Sequence, residues 1–200
     1  IHVAFNKGKY RVCGDYRYIN SKTVPDANRV PQLKEHVHKL SGCEYFSVID
    51  ISQAYLNIPI HPKDIAKTAI CTPFGNFEFL KMPWGLRNAG QTFQRYLDTH
   101  IRDIDQCFGY VDDLLLATPT LKEHTELIKK VHSRLEKAGL KVNHEKCRYE
   151  QKEVEYLGFT VNKDGIRPSR SKAKNLRNAM LPKTWVNSHN SLEPCHSTRA

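Results

Sequence analysis

The segment CFGYVDDLLLA, residues 107–117, places two adjacent carboxylates, Asp112 and Asp113, in an otherwise apolar run. Burying one unpaired carboxylate costs several kcal/mol, and two adjacent ones repel each other. Two interpretations are therefore open for this pair. It is either the solvated bend of a hairpin, where Asp is common, or a bend whose charges are neutralised by a divalent cation. Taken alone, the pair favours the solvated bend.

The composition is that of a globular protein. The 200 residues are 40% hydrophobic, which suits one domain with a sizeable core or slightly more than one. Six scattered cysteines indicate neither a disulfide framework nor a zinc site. No apolar run approaches the roughly 20 residues that a membrane span requires. With no secretory or other targeting signal, we expect an intracellular protein without membrane contact. Because the chain begins with Ile1, we also expect a piece of a longer polypeptide.

The formal net charge of +10 is concentrated at the two ends of the chain. Residues 163–183 carry seven Lys and Arg side chains against one Asp, and residues 1–29 carry six against two. Such an excess suits a polyanionic partner such as a nucleic acid, although many basic proteins bind none.

Hydrophobic spacing predicts an α+β fold in which hairpins alternate with helices. We expect strands around Ser47 and on both sides of Asp112, and a capped helix that starts after Thr120 and ends at Gly139. The remaining patterns predict a strand pair within residues 7–20, a helix with Leu33, Val37 and Leu40 on one face, a hairpin within 68–83, a helix with Phe93, Leu97, Ile101 and Ile104 on one face, and a last hairpin within 153–168.

A third carboxylate, Asp50, ends the strand of residues 43–51. If that strand is an antiparallel neighbour of the 107–117 hairpin, Asp50 faces the bend. Three carboxylates without thiol or imidazole ligands favour magnesium over zinc. Two such ions would stabilise both the attacking and the leaving oxygens of a phosphoryl transfer. The spacing alone does not decide between this site and a solvated bend.

Several blocks resemble reverse transcriptases, and in particular those of gypsy-type LTR retrotransposons. Tyr110-Val111-Asp112-Asp113 is similar to the Y-x-D-D motif of that family. The other similar blocks, in family order, are RVCGDYRYIN (11–20), SVIDISQAYLNIPI (47–60), KTAICTPFGNFEFLKMPWGLRNAGQTFQR (67–95), LKVNHEKCRY (140–149) and VEYLGFTV (154–161). The resemblance runs from about residue 7 to about residue 181.

This resemblance implies an RNA-directed DNA polymerase with the right-hand fingers and palm of polymerases, the antiparallel palm sheet being backed by helices. It assigns two Mg²⁺ ions, for which Mn²⁺ is a substitute, to Asp50, Asp112 and Asp113. The implied partners are an RNA or DNA template with its primer, deoxynucleoside triphosphates, and the RNase H and integrase regions of a parent Pol polyprotein. The implied location is a cytoplasmic retroelement particle.

Further roles follow from the resemblance, residue by residue. Lys146 would protonate the departing pyrophosphate, and Tyr55 would block a 2′-hydroxyl on the incoming sugar. The other nucleotide-binding positions would be Arg11, Trp84, Gly85 and Tyr110, and the primer end would lie against Leu157, Gly158 and Phe159. Trp84 departs from the Phe or Gln usual in related elements. The usual triphosphate-binding lysine is displaced or absent, with Lys7 and Lys9 as candidate substitutes.

The resemblance also predicts the domain boundaries. Residues 1–165 would form fingers (mainly 1–24 and 58–88) and palm (mainly 25–57 and 89–165), and residues 166–183 would begin a thumb or connector. Residues 184–200 lose the family pattern. We interpret this tail as the product of a frameshift soon after Thr184, and expect it to be disordered.

Two alternatives to an active polymerase remain open at this point. One is a truncated retroelement relic that binds nucleic acid but is catalytically inactive. The other is an RNA-templated RNA polymerase, which Tyr55 and the gypsy-like block from Pro73 to Gln94 disfavour.

Overall fold

The computed structural model describes residues 2–6, 9–28, 37–170 and 172–173. The strands are β1 (His2–Asn6), β2 (Lys9–Cys13), β3 (Tyr45–Asp50), β4 (Ile70–Thr72), β5 (Gly75–Phe77), β6 (Cys107–Tyr110), β7 (Asp113–Thr118), β8 (Arg148–Gln151), β9 (Glu153–Tyr156), β10 (Phe159–Asn162) and β11 (Gly165–Pro168). The helices are α1 (Arg17–Lys22), α2 (Val37–Leu40), α3 (Ala89–Ile101) and α4 (Leu121–Lys137), with short 3₁₀ helices at Ala54–Asn57 and Pro62–Thr68.

The centre of the molecule is a four-stranded sheet in the order β6-β7-β3-β8. Strand β7 pairs antiparallel with both β6 and β3, and β3 also pairs antiparallel with β8. Each strand of this sheet therefore runs opposite to its neighbours, which confirms the α+β class and the antiparallel sheet predicted from the sequence.

Both faces of the central sheet are covered. On one face, Ile49, Leu114 and Leu116 pack in a cluster with apolar side chains of α3 and α4. On the other face, Phe46 and Leu115 pack against the small sheet β9-β10-β11. A strand buried on both faces has no polar alternation, which explains why β7 reads as an unbroken apolar run.

The two long helices agree with their sequence patterns. The side chain of Thr120 accepts a hydrogen bond from the backbone N–H of Glu123 at 3.3 Å and so caps the start of α4. Gly139, just after the helix, has φ +69°, the left-handed conformation that glycine adopts most readily. Helix α3 ends at Ile101, so Ile104 is buried from the loop that follows rather than from the helix.

The N-terminal part differs from the prediction of strands throughout residues 7–20. Strands β1 and β2 form a hairpin, but α1 follows within the predicted segment. Tyr16, the residue just before α1, is buried, and its hydroxyl donates to the carbonyl of Thr68 at 3.1 Å. This long-range anchor, which no local pattern reveals, takes the chain away from the hairpin.

Two predicted features lie partly or wholly outside the described residues. The helix that includes Leu33 is described only from Val37, as α2. The tail of residues 184–200 falls entirely outside them. In the described part of the chain, no helix combines the length and the apolar character needed to cross a bilayer.

Candidate active site

The structure brings the three aspartates together at one end of the central sheet. Asp50, the last residue of β3, is the direct cross-strand partner of Asp113, the first residue of β7. Asp112 lies in the bend between β6 and β7, and its carbonyl accepts a hydrogen bond from the backbone N–H of Ile51 at 2.7 Å. The bend is thereby tied to the end of β3 that carries Asp50.

The carboxylates differ in their surroundings. The side chain of Asp50 is 15% exposed and lies beside Lys146, whose Nζ is 3.3 and 3.2 Å from its two oxygens. Burial, and then the negative charges of Asp112 and Asp50, raise the pKa of Asp113 to about 6, with Lys146 acting in the opposite direction. In this environment, burial and the two neighbouring carboxylates outweigh the effect of Lys146 on Asp113.

The chemistry of this donor set fits a hard divalent cation, since carboxylate oxygens are the ligands that Mg²⁺ prefers. A cation would offset the burial of the Asp113 carboxylate and its repulsion by Asp112 and Asp50, the causes that raise its pKa. Among the described residues, no three His, Cys, Asp or Glu side chains already form a metal-binding group. Because Asp112 is exposed and Asp50 is engaged with Lys146, these side chains must reorient before they can share an ion.

Two tyrosines border the bend. Tyr55, in the 3₁₀ helix Ala54–Asn57, packs edge-on against Phe93 with ring centroids 6.1 Å apart. Burial, and then the charges of Asp112 and Tyr110, raise the pKa of Tyr55. Tyr110, the last residue of β6, is 37% exposed. The structure thus brings Tyr55 and Tyr110 to the aspartates.

Trp84 and Gly85 lie in a loop that is anchored to the segment before and within α1. Gly85 has φ +100°, and its carbonyl accepts from the side-chain amide of Asn20 at 2.7 Å. The same amide group accepts from the backbone N–H of Arg87 at 2.8 Å. Trp84 is half-buried and Gly85 exposed. The described contacts tie this loop to α1.

Arg11, the remaining predicted nucleotide-binding residue, lies in β2. Its backbone partner across the β1–β2 hairpin is Ala4. The structure describes the backbone pairing of this hairpin, and the role of Arg11 stays a prediction.

Leu157, Gly158 and Phe159 form the turn between β9 and β10 and the start of β10. Leu157 and Gly158 both have positive φ, +50° and +74°. The ammonium group of Lys172 lies 3.8 Å from the centre of the Phe159 ring, a cation–π contact. The turn thus presents a positive charge beside an aromatic ring.

A buried tyrosine connects this turn to the aspartates. The hydroxyl of Tyr156 lies 3.2 Å from the carbonyl oxygen of Phe108 and 3.1 Å from that of Asp113. Burial, followed by the charge of Asp113, raises its pKa well above the usual value, so the hydroxyl keeps its proton and donates. Sequence reasoning did not single out Tyr156.

Sequence reasoning also missed Gln94, which is fully buried in α3 and contacts the bend directly. A signal for it was present. Gln94, Leu97 and Ile101 are spaced three and four residues apart, so this glutamine is a polar residue on the apolar face of the helix. Buried polar side chains in such positions are satisfied by specific partners.

The sheet, its two backing helices and the bend with its aspartates define the fold of a polymerase palm with adjoining fingers. The chain belongs to the reverse transcriptase family: the family model described as reverse transcriptase (RNA-dependent DNA polymerase) matches residues 4–161. The fold and family predicted from the sequence are thereby confirmed.

Relatives among known proteins confirm the expected similarity to retrotransposon Pol polyproteins. The retrovirus-related Pol polyprotein from transposon 297 of Drosophila melanogaster is 38% identical over 181 residues, covering 90% of this chain. That from transposon gypsy of the same organism is 35% identical over 173 residues, covering 86% of this chain. The chain spans only 17% of the length of each.

Solved structures agree with this assignment. A foamy viral protease-reverse transcriptase in complex with double-stranded DNA matches 90% of this chain with a TM-score of 0.82 and 25% identity. A foamy viral protease-reverse transcriptase in complex with an RNA/DNA hybrid matches 84% with a TM-score of 0.74 and 27% identity. The chain covers 32% and 23% of these two proteins.

Proposed function

We propose that this chain carries the polymerase centre of a retrotransposon Pol polyprotein and adds deoxynucleotides to a primer 3′-hydroxyl under the direction of an RNA or DNA template. The observation that carries the proposal is the cross-strand pairing of Asp50 with Asp113, with Asp112 in the adjoining bend. In a family of polymerases, three carboxylates brought together on adjoining strands can hold the two ions of a two-metal phosphoryl transfer.

Asp50, Asp112 and Asp113 would hold two Mg²⁺ ions, with Mn²⁺ as a substitute. When bound, these ions supply charge neutralisation at the triphosphate and activation of the primer hydroxyl. Lys146 has a role of its own in this proposal. Its side chain is 63% exposed although it contacts Asp50, so its ammonium group can move to the departing pyrophosphate and give it a proton.

The incoming nucleotide would lie over Tyr55. The packing of this ring against Phe93 supports a fixed position from which its bulk blocks a 2′-hydroxyl. Tyr110, Trp84 and Gly85 would line the same site. Arg11 would grip the triphosphate, a role suited to its planar, multidentate guanidinium.

The primer end would lie against Leu157, Gly158 and Phe159. Their connection to Asp113 through Tyr156 supports this role, because it couples the turn to the catalytic bend. The cation of Lys172 beside Phe159 would suit a primer phosphate.

The same proposal divides the chain into fingers (1–24 and 58–88), palm (25–57 and 89–165) and the start of a thumb (166–183). The central sheet supports the division, since all four of its strands fall within the palm ranges. Strand β11 begins at Gly165 and pairs with β10 as far as Pro168, so the packing favours extending the palm to Pro168.

The partners proposed are a primed template, deoxynucleoside triphosphates, and RNase H and integrase regions of the same polyprotein. The foamy viral complexes with double-stranded DNA and with an RNA/DNA hybrid support the first of these. A cytoplasmic retroelement particle is the proposed location.

Primer extension on an RNA template with Mg²⁺ tests the proposal. We expect the chain to extend the primer, and the Asp112→Asn variant to lose at least about 100-fold in rate because one charge needed for the ions is gone. Asp105→Asn is the matched control. The side chain of Asp105 is 93% exposed, and its one described ion pair, with Lys39, is remote from the bend. The Asp105→Asn variant should therefore be as active as the unaltered chain.

Binding of the primed template without any incorporation would contradict the proposal and favour the inactive relic. Preferential incorporation of ribonucleotides would favour the RNA-templated RNA polymerase instead.

A further inference from the structure

The side chain of Gln94 makes hydrogen bonds to both sides of the catalytic bend. Its Oε1 accepts from the backbone N–H of Val111 at 2.7 Å. Its Nε2 donates to the carbonyl of Gly109 at 3.1 Å and to Oδ1 of Asp98 at 2.9 Å. One side chain from α3 thus bridges the end of β6 and the residue that precedes Asp112.

The orientation of this amide follows from its partners. A backbone N–H can only donate, whereas a carbonyl and an ionised carboxylate can only accept. Val111 must therefore face Oε1, while Gly109 and Asp98 must face Nε2. Asp98, one helical turn further along α3, holds the amide in this orientation. The reversed amide would place like groups against each other at all three contacts.

The bend requires such a support because Val111 adopts φ +52°. This left-handed conformation is unfavourable for a β-branched residue and persists only where surrounding contacts enforce it. The neighbouring residues of the bend are held from other elements, Asp112 by Ile51 and Asp113 by Tyr156. Gln94 supplies the described hydrogen bond to the backbone N–H of Val111 itself.

Close packing of α3 on β6 makes this contact geometrically feasible. A Cβ atom on Gly109 would lie 2.7 Å from Cδ1 of Ile101 and 2.8 Å from Cδ2 of Leu97. These distances are too short for non-bonded carbon atoms, so the side chains of Ile101 and Leu97 would have to shift if position 109 carried a side chain. With glycine there, both side chains pack directly on β6, and the buried Gln94 of the same helix reaches the bend.

We infer that Gln94 is a positioning residue of the polymerase centre: it holds the left-handed Val111 bend so that Asp112 and Asp113 stand correctly against Asp50. The effect of Gln94 on the reaction rests on the proposed function. The hydrogen bond between Gln94 and Val111 is independent of that function and can be measured without catalytic turnover.

The test uses Gln94→Met, which keeps the length and burial of the side chain but removes all three hydrogen bonds. Amide hydrogen exchange at Val111, followed by NMR, reports the contact. Primer extension reports its consequence. We expect exchange at Val111 to accelerate at least about 10-fold relative to other amides of β6 and β7, and kcat to fall about 10- to 100-fold with a smaller change in the KM for deoxynucleotide.

The matched control is Gln106→Met, the same change at an exposed glutamine just before the far end of β6. Its exchange at Val111 and its kcat should equal those of the unaltered chain. Unfolding by urea, measured for both variants, separates a local opening of the bend from a general loss of stability.

Unchanged exchange at Val111 in Gln94→Met would overturn the inference, and so would faster exchange with unchanged kcat. If the unaltered chain incorporates no nucleotide, the proposed function fails by itself. Exchange at Val111, compared with the Gln106→Met control, then still decides whether Gln94 holds the bend.

A second variant covers the case in which Gln94→Met does not fold. Gln94→Glu combined with Asp98→Asn keeps an acceptor for Val111 and restores a hydrogen bond between positions 94 and 98, but loses the donor to Gly109. We expect near-normal exchange at Val111 and a kcat above that of Gln94→Glu alone. A double variant no more active than Gln94→Glu would contradict the role assigned to the oriented amide.

Discussion

At the scale of single residues, the three aspartates at the bend differ in their exposure, their ionic partner and their pKa. Asp112 is exposed, Asp50 lies against Lys146, and the pKa of Asp113 is raised to about 6 by burial and by its two acidic neighbours. From the residue type alone, the three aspartates would be expected to behave alike. Their differences arise from the strands and side chains that surround each one.

Tyr55 permits a prediction at this scale, which presumes the proposed polymerase activity. Replacing Tyr55 with Ala removes the ring that packs on Phe93 and opens space beneath the incoming sugar. Because exclusion of a 2′-hydroxyl by bulk needs that ring, we expect preference for deoxynucleotides over ribonucleotides to fall about 10- to 100-fold. Competing incorporation of matched deoxy- and ribonucleotides measures this ratio.

Tyr55→Phe is the control, since it keeps the ring and loses only the hydroxyl. It should retain the discrimination of the unaltered chain. A Tyr55→Ala variant that still excludes ribonucleotides would assign sugar selection to another group.

At the scale of elements, a buried histidine connects α4 to two strands of the central sheet. The ring nitrogens of His124 lie 2.7 Å from Oγ of Ser47 in β3 and 2.8 Å from Oγ1 of Thr118 in β7. The Thr118 hydroxyl also lies 3.1 Å from the carbonyl of Thr120 and donates to it, so it accepts from Nδ1–H of the ring. Ser47 then donates to Nε2, which fixes one neutral tautomer.

This connection predicts a pH dependence of stability. Burial lowers the pKa of His124 below its usual 6.5, although the charge of Glu150 acts in the opposite direction. Below about pH 6.5 the unfolded chain therefore binds a proton that the folded chain excludes, and the free energy of unfolding falls as pH decreases. This single group contributes a slope of at most about 1.4 kcal/mol per pH unit.

Urea unfolding at pH 7.5 and 5.5 tests this dependence. We expect His124→Gln to lose less stability between the two pH values than the unaltered chain, because Gln does not titrate. His38→Gln, at an exposed position of α2, is the control and should follow the unaltered chain. If His124→Gln showed the same pH dependence as the unaltered chain, the dependence would arise from other groups. One of these is His132, whose pKa is also lowered by burial.

At the scale of the whole molecule, the net charge of +10 predicts salt-sensitive binding to a primed template. Each phosphate neutralised by the protein contributes about −0.9 to the slope of log affinity against log salt concentration. Lys172, beside Phe159 in the proposed primer site, is expected to account for one such phosphate. Lys172→Ala should therefore make the slope shallower by about 0.9.

Fluorescence anisotropy with a labelled RNA/DNA hybrid, over a series of KCl concentrations, measures this slope. Lys130→Ala, on the exposed side of α4, is the matched control and should leave it unchanged. An unchanged slope in Lys172→Ala would place the primer phosphates elsewhere on the surface.

The sequence by itself was sufficient to predict those elements whose ends are set by contacts between residues close together in the chain. The cap at Thr120 and the glycine after α4 act within one turn of the helix, so both were predictable. The family, too, was recognisable from the sequence, because its motifs are contiguous blocks in a constant order. By contrast, α1 was mistaken for strand, since the anchor that redirects the chain joins Tyr16 to Thr68, 52 residues away.

Only the tertiary structure decided how the bend CFGYVDDLLLA is held. The sequence showed two acids in an apolar run and a third at the end of another strand, but not that Asp50 and Asp113 are cross-strand partners. Nor did it show that Gln94 and Tyr156 hydrogen-bond to the bend. These contacts join residues far apart in the chain, and the direction of a buried polar side chain depends on which donors and acceptors the packed core brings to it.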